Sequence, residues 1–312
     1  MKMIVTLTMN PAIDKSSSVE HVIAERKLYC KTPRFEPGGG GINVTRAIKK
    51  LGGDSVALYP SGGPTGEMLQ FLFDQEGLTH RPIPFNGWTR ENLVMLEEST
   101  GQQYRFGMPG QALSDKEWKR CLYELSGITP KPNYIVASGS LTPGVPPDFY
   151  ARIVRIGKDM DAKVIVDTSG EALSLALKEG VFLIKPNIRE FRDLVGQDVK
   201  EESQIKAAAK RLVESGRSAV VVISLGAAGA LMVSEDVVEH IVPPTVPIVS
   251  KVGAGDSTVA GIVLSLARGN ALRDAVRFGV AAGAAAVMTP GTELCRREDT
   301  ERLYEQMTLK SA

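Results

Sequence analysis

Val252-Gly-Ala-Gly-Asp-Ser257 opens a run of small residues, and far upstream Pro37-Gly-Gly-Gly-Gly-Ile-Asn-Val-Thr-Arg-Ala47 opens another. Each reads as a glycine-rich turn entering a helix. The first N–H groups of a helix have no partner inside it and point at whatever sits above the helix start, and small residues let that object approach the backbone. This is a geometry for holding anions. Asp256 stands at the mouth of its turn. A carboxylate beside an anion cradle is unfavourable unless it removes a proton or holds a metal, and the combination points to phosphoryl transfer to a hydroxyl. Taken alone, each turn has a plainer reading, a mobile glycine run at 38–41 and an N-capping aspartate at 256.

Outward from these turns, apolar runs alternate with amphipathic segments. Strands are predicted at 3–8, 55–60, 134–138, 163–167, 182–184 and 219–224, several of them continuous and β-branched, as in strands covered on both faces. Helices are predicted at 44–51, 66–76, 115–125, 147–159, 190–195 and 202–215, and the C-terminal part, over 255–268, 272–288 and 297–307, reads as mainly helical. Such alternation predicts βαβ units and an α/β fold with a doubly wound, mostly parallel sheet flanked by helices. Two stretches, 16–35 and 91–106, instead carry alternating strand-like sequence with no helix between. They predict a small antiparallel sheet, a lid formed by 15–35 and 91–106 on a core of 1–14, 36–90 and 107–312. A projecting sheet with one apolar face needs a covering surface, so a homodimer through the lid is expected, with an ordinary edge hairpin as the alternative.

Composition narrows the function. The chain has 312 residues, enough for one large core, and a net charge of +1 gives no electrostatic case for nucleic acid or a membrane surface. No apolar run approaches the ~18–20 residues that span a bilayer. The cysteines, Cys30, Cys121 and Cys295, are far apart and odd in number, and with His21, His80 and His240 they show no metal-ligand spacing. A cytoplasmic protein is expected. Neither G-x-x-x-x-G-K-[ST] nor a G-x-G-x-x-G after the first strand is present, which disfavours a P-loop NTPase or a standard dinucleotide fold.

The segments PGGGGINVTRAIKKLGG (37–53) and VGAGDSTVAGIVL (252–264) resemble the signature segments of the ribokinase-like, PfkB-type carbohydrate kinases. The resemblance runs on through Ser138-Gly-Ser-Leu-Thr-Pro-Gly144, Lys185-Pro-Asn-Ile-Arg-Glu190 and Ser224-Leu-Gly226. Within the family, Phe35-Glu-Pro-Gly-Gly-Gly-Gly-Ile-Asn43, Trp88-Thr-Arg90, Gln103-Tyr-Arg-Phe106 and Met108-Pro-Gly110 are similar to the branch that uses ATP to phosphorylate the 1-hydroxyl of fructose 6-phosphate. Asn10-Pro-Ala-Ile-Asp14 looks more like the branches acting on tagatose 6-phosphate or fructose 1-phosphate, which remain alternatives, as does a non-catalytic sugar- or nucleotide-binding regulator.

The resemblance implies a role for each matching residue. Asp256 would be the base, ionised at neutral pH if its carboxyl is unperturbed, and Gly253, Ala254 and Gly255 would supply anion-hole amides. Asp14, Gly39, Gly40, Asn43 and Ser138 would hold the sugar, with Arg90 and Arg105 on its phosphate, where a planar guanidinium suits bidentate contact. Lys27, Lys185, Asn187, Ser224, Gly226 and Gly229 would serve ATP, Lys27 across a dimer. Asn187 and Glu190 would position Mg²⁺, which keeps several waters and takes few protein oxygens; the plainer reading puts Glu190 in the first turn of a helix. Carbonyls around Ser250, Val252, Ala286, Thr289 and Gly291 would hold K⁺, although Thr289 and Pro290 depart from the asparagine-containing loop of that branch.

Overall fold

The computed structural model describes residues 2–309. Strand β1 (Ile4–Leu7) is the switch point of a nine-stranded sheet. To one side lie β4 (Val56–Ser61) and β5 (Thr79–Pro84). To the other lie β8 (Tyr134–Ser138), β9 (Lys163–Asp167), β10 (Val181–Ile184) and β11 (Ser218–Ser224), all parallel to β1. An antiparallel pair, β12 (Ala230–Ser234) and β13 (Val238–Ile241), finishes that edge.

Both faces of the central strands are buried, which is why they read as continuous apolar runs. Val5, Leu7, Ile135, Ala137 and Val166 point into one core. It is covered by α3 (Asp115–Ser126), α4 (Phe149–Asp159), α5 (Gly170–Lys178), α6 (Ile188–Val195) and α7 (Glu202–Glu214). Ile4, Tyr134, Val136, Ile165 and Leu183 point into the other, under α1 (Gly40–Lys50), α8 (Ala254–Ala267), α9 (Leu272–Ala286) and α10 (Arg297–Leu309). A smaller cluster of Ile13, Ile42, Tyr59, Leu69 and Phe73 seats α2 (Gly63–Gln75). Helix α8 is buried on every side from Ser257 to Ala267, so its start is rigidly placed.

The second sheet has the order β3-β2-β6-β7, from β2 (Ala12–Val19), β3 (Arg34–Gly38), β6 (Arg90–Glu97) and β7 (Gln102–Phe106). It is mixed, and this corrects the antiparallel expectation: β2 and β6 are parallel, while β3 and β7 return antiparallel beside them. Both inner strands leave the core in the same direction, Ala12 opposite Arg90, so their partners close two separate hairpin-like returns.

Four elements escaped the sequence. Strand β5 contains Pro82 and Pro84, which argue against a strand except at an edge, and β5 is an edge. Strands β12 and β13 are only five and four residues long, and helix α5 only nine. Helix α1 also begins at Gly40, ahead of the expected 44, because the glycine turn is itself the helix start.

Helix α8 and helix α9 meet through glycines. A Cβ on Gly279 would stand 2.6 Å from the Thr258 carbonyl oxygen, and one on Gly261 2.8 Å from the Gly279 Cα. Ala is worth ~0.5–1 kcal/mol over Gly inside a helix, whereas overpacking costs ~1–3 kcal/mol. Gly279→Ala is therefore expected to lower the chemical-denaturation midpoint despite its better helix propensity.

Candidate active site

The carboxyl ends of the parallel strands collect the polar residues. Ser138 ends β8, Asp167 ends β9 and pairs with it in register, Lys185 follows β10, and Ser224 ends β11. Open parallel sheets bind ligands at this edge, beside the point where strand order reverses. A hollow of about 870 Å³ lies at the opposite end, against the starts of β9, β10 and β11, so concavity alone would misplace the site.

Both glycine turns arrive here. Gly39 caps α1 with φ 113°, and a Cβ on Gly40 would overlap Ser138 Oγ and reach 2.8 Å from the Gly139 nitrogen. Gly253 caps α8 in the left-handed region, where a Cβ would also overlap the Leu294 side chain. The amides of Ala254 and Gly255 open that helix. The turns are joined by one side-chain contact, Asn43 Nδ2 donating to Asp256 Oδ2 at 2.9 Å. Asn43 Oδ1 is buried with no hydrogen-bond partner among the described residues. A buried, unsatisfied acceptor costs free energy, so it points to a ligand hydroxyl.

Asp256 departs from the sequence expectation. The residue keeps some exposed surface, but protein crowds its carboxyl; this burial, followed by repulsion from Asp167, pushes its pKa up to about 7. The Asn43 hydrogen bond and the Lys185 charge only partly offset these effects. A base poised near neutrality combines availability with proton affinity. Lys185 is buried, its Nζ 3.5 Å from Asp167 Oδ1 and 3.2 Å from where a Gly255 Cβ would stand. It therefore lies against the anion hole. Asp167 was missed in the sequence, since a lone aspartate at a strand end carries no local signal.

The four-stranded sheet contributes one face. Asp14, opposite Glu36 and Asn92 in register, lies against Gly38, where a Cβ would overlap its carboxyl. Burial raises its pKa, opposed by the Asn92 hydrogen bond and then by the Arg46 and Arg90 charges. Asn92 was not foreseen. Its Nδ2 donates to Asp14 Oδ1 at 2.8 Å, and its Oδ1 accepts from the Met108 amide at 3.2 Å and from Arg90 Nη1 at 3.3 Å. Arg90 also donates to the carbonyls of Asn10 at 3.0 Å and Met108 at 2.9 Å, and its Nε is buried without a partner among the described residues. Arg105 is exposed and stands opposite Val94, on the face of Arg90 and Asn92 but roughly 13 Å along the strand from Arg90.

On the nucleotide side, Asn187 and Ser224 are neighbours in a parallel bridge. Asn187 Oδ1 accepts from the Arg189 and Glu190 amides, each at 2.9 Å, while Glu190 Oε2 accepts from the Asn187 amide at 2.8 Å. This is a capping box on α6. The Asn187 oxygen is thus engaged, and the second carboxylate oxygen of Glu190 is the group with acceptor capacity for a metal-bound water. Gly226 and Gly229 bracket a short 3₁₀ turn, where a Gly229 Cβ would overlap the Ile241 carbonyl. Lys27 sits in the exposed connection of the lid, its ammonium 5.2 Å from the centroid of the Tyr29 ring. Ser250 Oγ donates to the Gly291 carbonyl at 3.2 Å and accepts the Val252 amide at 3.2 Å, which ties the turn before α8 to the loop after α9. The Ala286 carbonyl already accepts the Thr289 amide at 3.2 Å and faces the Thr289 hydroxyl at 2.8 Å, so both of its lone pairs have partners within the chain.

The family model for pfkB family carbohydrate kinases matches residues 3–299. The chain is a pfkB family carbohydrate kinase. It is 45% identical to the ATP-dependent 6-phosphofructokinase isozyme 2 of Mycobacterium tuberculosis over 97% of this chain and 89% of the relative. Its structure superposes on that of Escherichia coli phosphofructokinase-2 in complex with potassium at a TM-score of 0.95, with 42% identity over 99% and 100% of the two chains. The fructose-6-phosphate complex of the same E. coli enzyme gives 0.93, with 41% identity and the same coverage. Among the described residues of the kinase, no helix is long and apolar enough to cross a membrane, and no cluster of His, Cys, Asp and Glu forms a metal cage.

Because the Asp256 carboxyl titrates near 7, kcat/KM should fall about tenfold per pH unit below that value. Its raised pKa also means that the charged form disfavours the folded state. The penalty begins above the unfolded value of 3.8 and is complete above about 7. Asp256→Asn is accordingly expected to abolish most turnover while raising the thermal midpoint, more at pH 8 than at pH 5.

Proposed function

We propose that the kinase transfers the γ-phosphoryl group of ATP to the 1-hydroxyl of fructose 6-phosphate. The observation carrying this reading is the arrangement of Arg90, Asn92 and Asp14 on one lid face, directed to the same place as the Asn43–Asp256 pair. Asp14 stands near enough to Asp256 for its charge to raise the proton affinity there, so a sugar phosphate held between them would set its phosphate on the guanidinium side and its reacting hydroxyl at Asp256. The names of the relatives agree.

In this reading Asp14 and Asn43 accept and donate to sugar hydroxyls, and Asp256 removes the proton from the attacking oxygen. The amides of Gly253, Ala254 and Gly255, with Lys185, stabilise charge on the transferring group. Such preorganised donors act most strongly where water is excluded. Glu190, its carboxylate fixed by the Asn187 amide, would hold the Mg²⁺ of the nucleotide through water, and that ion would supply neutralisation of phosphate charge. Ser224, Gly226 and Gly229 line the nucleotide side, and K⁺ would rest on the carbonyls around Ser250, Val252, Ala286, Thr289 and Gly291. The E. coli complex with potassium supports that last assignment. Free cysteines and the use of ATP fit a cytoplasmic enzyme.

The segments 15–35 and 91–106 serve as a lid on the remaining core and as the contact of a homodimer. Val22, Ile23, Tyr29, Phe106 and Met108 are exposed on or beside it, an apolar surface that a second copy would bury, with Lys27 reaching the partner's nucleotide. Sedimentation at micromolar concentration should give a dimer, and a fully active monomer would defeat the assignment.

The arginines test the substrate. Each phosphate contact is worth ~1.5–3 kcal/mol, so Arg90→Ala and Arg105→Ala should raise KM for fructose 6-phosphate roughly tenfold or more and shrink its advantage over fructose. Arg90→Ala should be the more damaging, since Arg90 also holds the carbonyls of Asn10 and Met108. Equal use of fructose and fructose 6-phosphate by the wild type would replace this reading with a plain sugar kinase.

A further inference from the structure

Arg46 is almost wholly buried, with 2% of its side chain exposed, one turn beyond Asn43 on α1. Its guanidinium is fully engaged. Nε donates to Glu76 Oε2 at 2.9 Å, and Nη2 donates to Glu76 Oε1 at 2.7 Å and Glu36 Oε1 at 2.8 Å. Nη1 is shared by two backbone carbonyls, Pro37 and Thr292, each at 3.2 Å. The other oxygen of Glu36 accepts the Thr292 hydroxyl.

These partners come from separate parts of the site. Glu36 and Pro37 belong to lid strand β3 and lead directly into the glycine turn. Glu76 ends α2. Thr292 lies in the loop after α9, between Gly291, whose carbonyl takes the Ser250 hydroxyl, and Leu294, which rests against Gly253 at the anion hole. One planar cation therefore links the strand bearing the sugar cradle to the loop backing the anion hole.

We propose that Arg46 is a positioning residue for sugar phosphorylation, latching the β3 strand through Glu36 and Pro37 to the Thr292 loop, so that the sugar cradle and the anion hole move as one frame. The proposal rests on the sugar-kinase reading above. A buried ion cluster is weak evidence of stabilisation, because desolvation offsets the attraction, but its planar donors fix geometry in a way a hydrophobic filler cannot. Lysine keeps the charge and loses the fork, so it cannot span two carboxylates and two carbonyls together.

The test uses Arg46→Lys and, should that variant fold poorly, Thr292→Val, which keeps the shape and the ion pairs but removes the hydroxyl bond to Glu36. Titration calorimetry measures the affinity for fructose 6-phosphate and, separately, for a non-hydrolysable ATP analogue with Mg²⁺. The expected result for either variant is a loss of about tenfold in sugar-phosphate affinity, equal to ~1.4 kcal/mol, together with a lower kcat and nucleotide affinity within twofold of wild type. The double variant should be little worse than Arg46→Lys alone, because both break the same latch. Folded variants with a lower thermal midpoint but unchanged sugar affinity and kcat would overturn the proposal, leaving a scaffold residue, and so would equal losses for both ligands. If the wild type binds no fructose 6-phosphate, the sugar reading fails and takes this inference with it; wild-type binding matched by both variants sinks this inference alone.

Discussion

The hydrogen bond from Asn43 to Asp256 joins residues 213 positions apart and brings the two glycine turns to one place. The sheet makes that contact possible. Helices α1 and α8 pack on the same face, and both begin at the carboxyl edge of the strands, where their unpaired amides converge. Bulkier residues would hold the turns apart, since Cβ atoms at Gly40 and Gly253 would overlap Ser138 and Leu294. The proposed anion hole, base and sugar cradle all depend on this close approach.

That approach gathers negative charge. Asp14, Asp167 and Asp256 are close enough for both other aspartates to raise the proton affinity of Asp256. Lys185 between Asp167 and the anion hole, and Arg90 and Arg46 beside Asp14, supply the compensating charge. The compensation is incomplete at Asp256, whose carboxyl remains near neutrality in its titration. A destabilised carboxylate at the mouth of a helix is a local cost that a large, doubly covered core can carry.

The lid adds a second constraint, one of parity. Residues two apart on a strand share a face, so Asp14 on β2 and Arg90 and Asn92 on β6 meet only because the two strands run parallel in this register. A slip by one residue would send Asp14 outward and turn Ile13 toward the site. Ile13, packed in the small core by α2, holds the register from the opposite face, and Arg46 holds Glu36, the cross-strand partner of Asp14.

Much of this was legible in the sequence because it is local. Apolar runs such as 134–138 and 219–224 announced buried parallel strands, and the glycine turns at 37–47 and 252–257 announced two helix starts. The helix expected at 190–195 is present as α6, and the plainer reading of Glu190, a place in its first turn, is met by the capping box with Asn187. What the chain alone left open is non-local. The parallel pairing of β2 with β6, the roles of Asn92, Asp167 and Thr292, and the full engagement of Arg46 each depend on residues distant in sequence. The raised proton affinity of Asp256 is of the same kind. Composition and spacing assign a carboxylate its ordinary value, and only tertiary packing, by removing water and adding a second carboxylate, decides the pH at which it ionises.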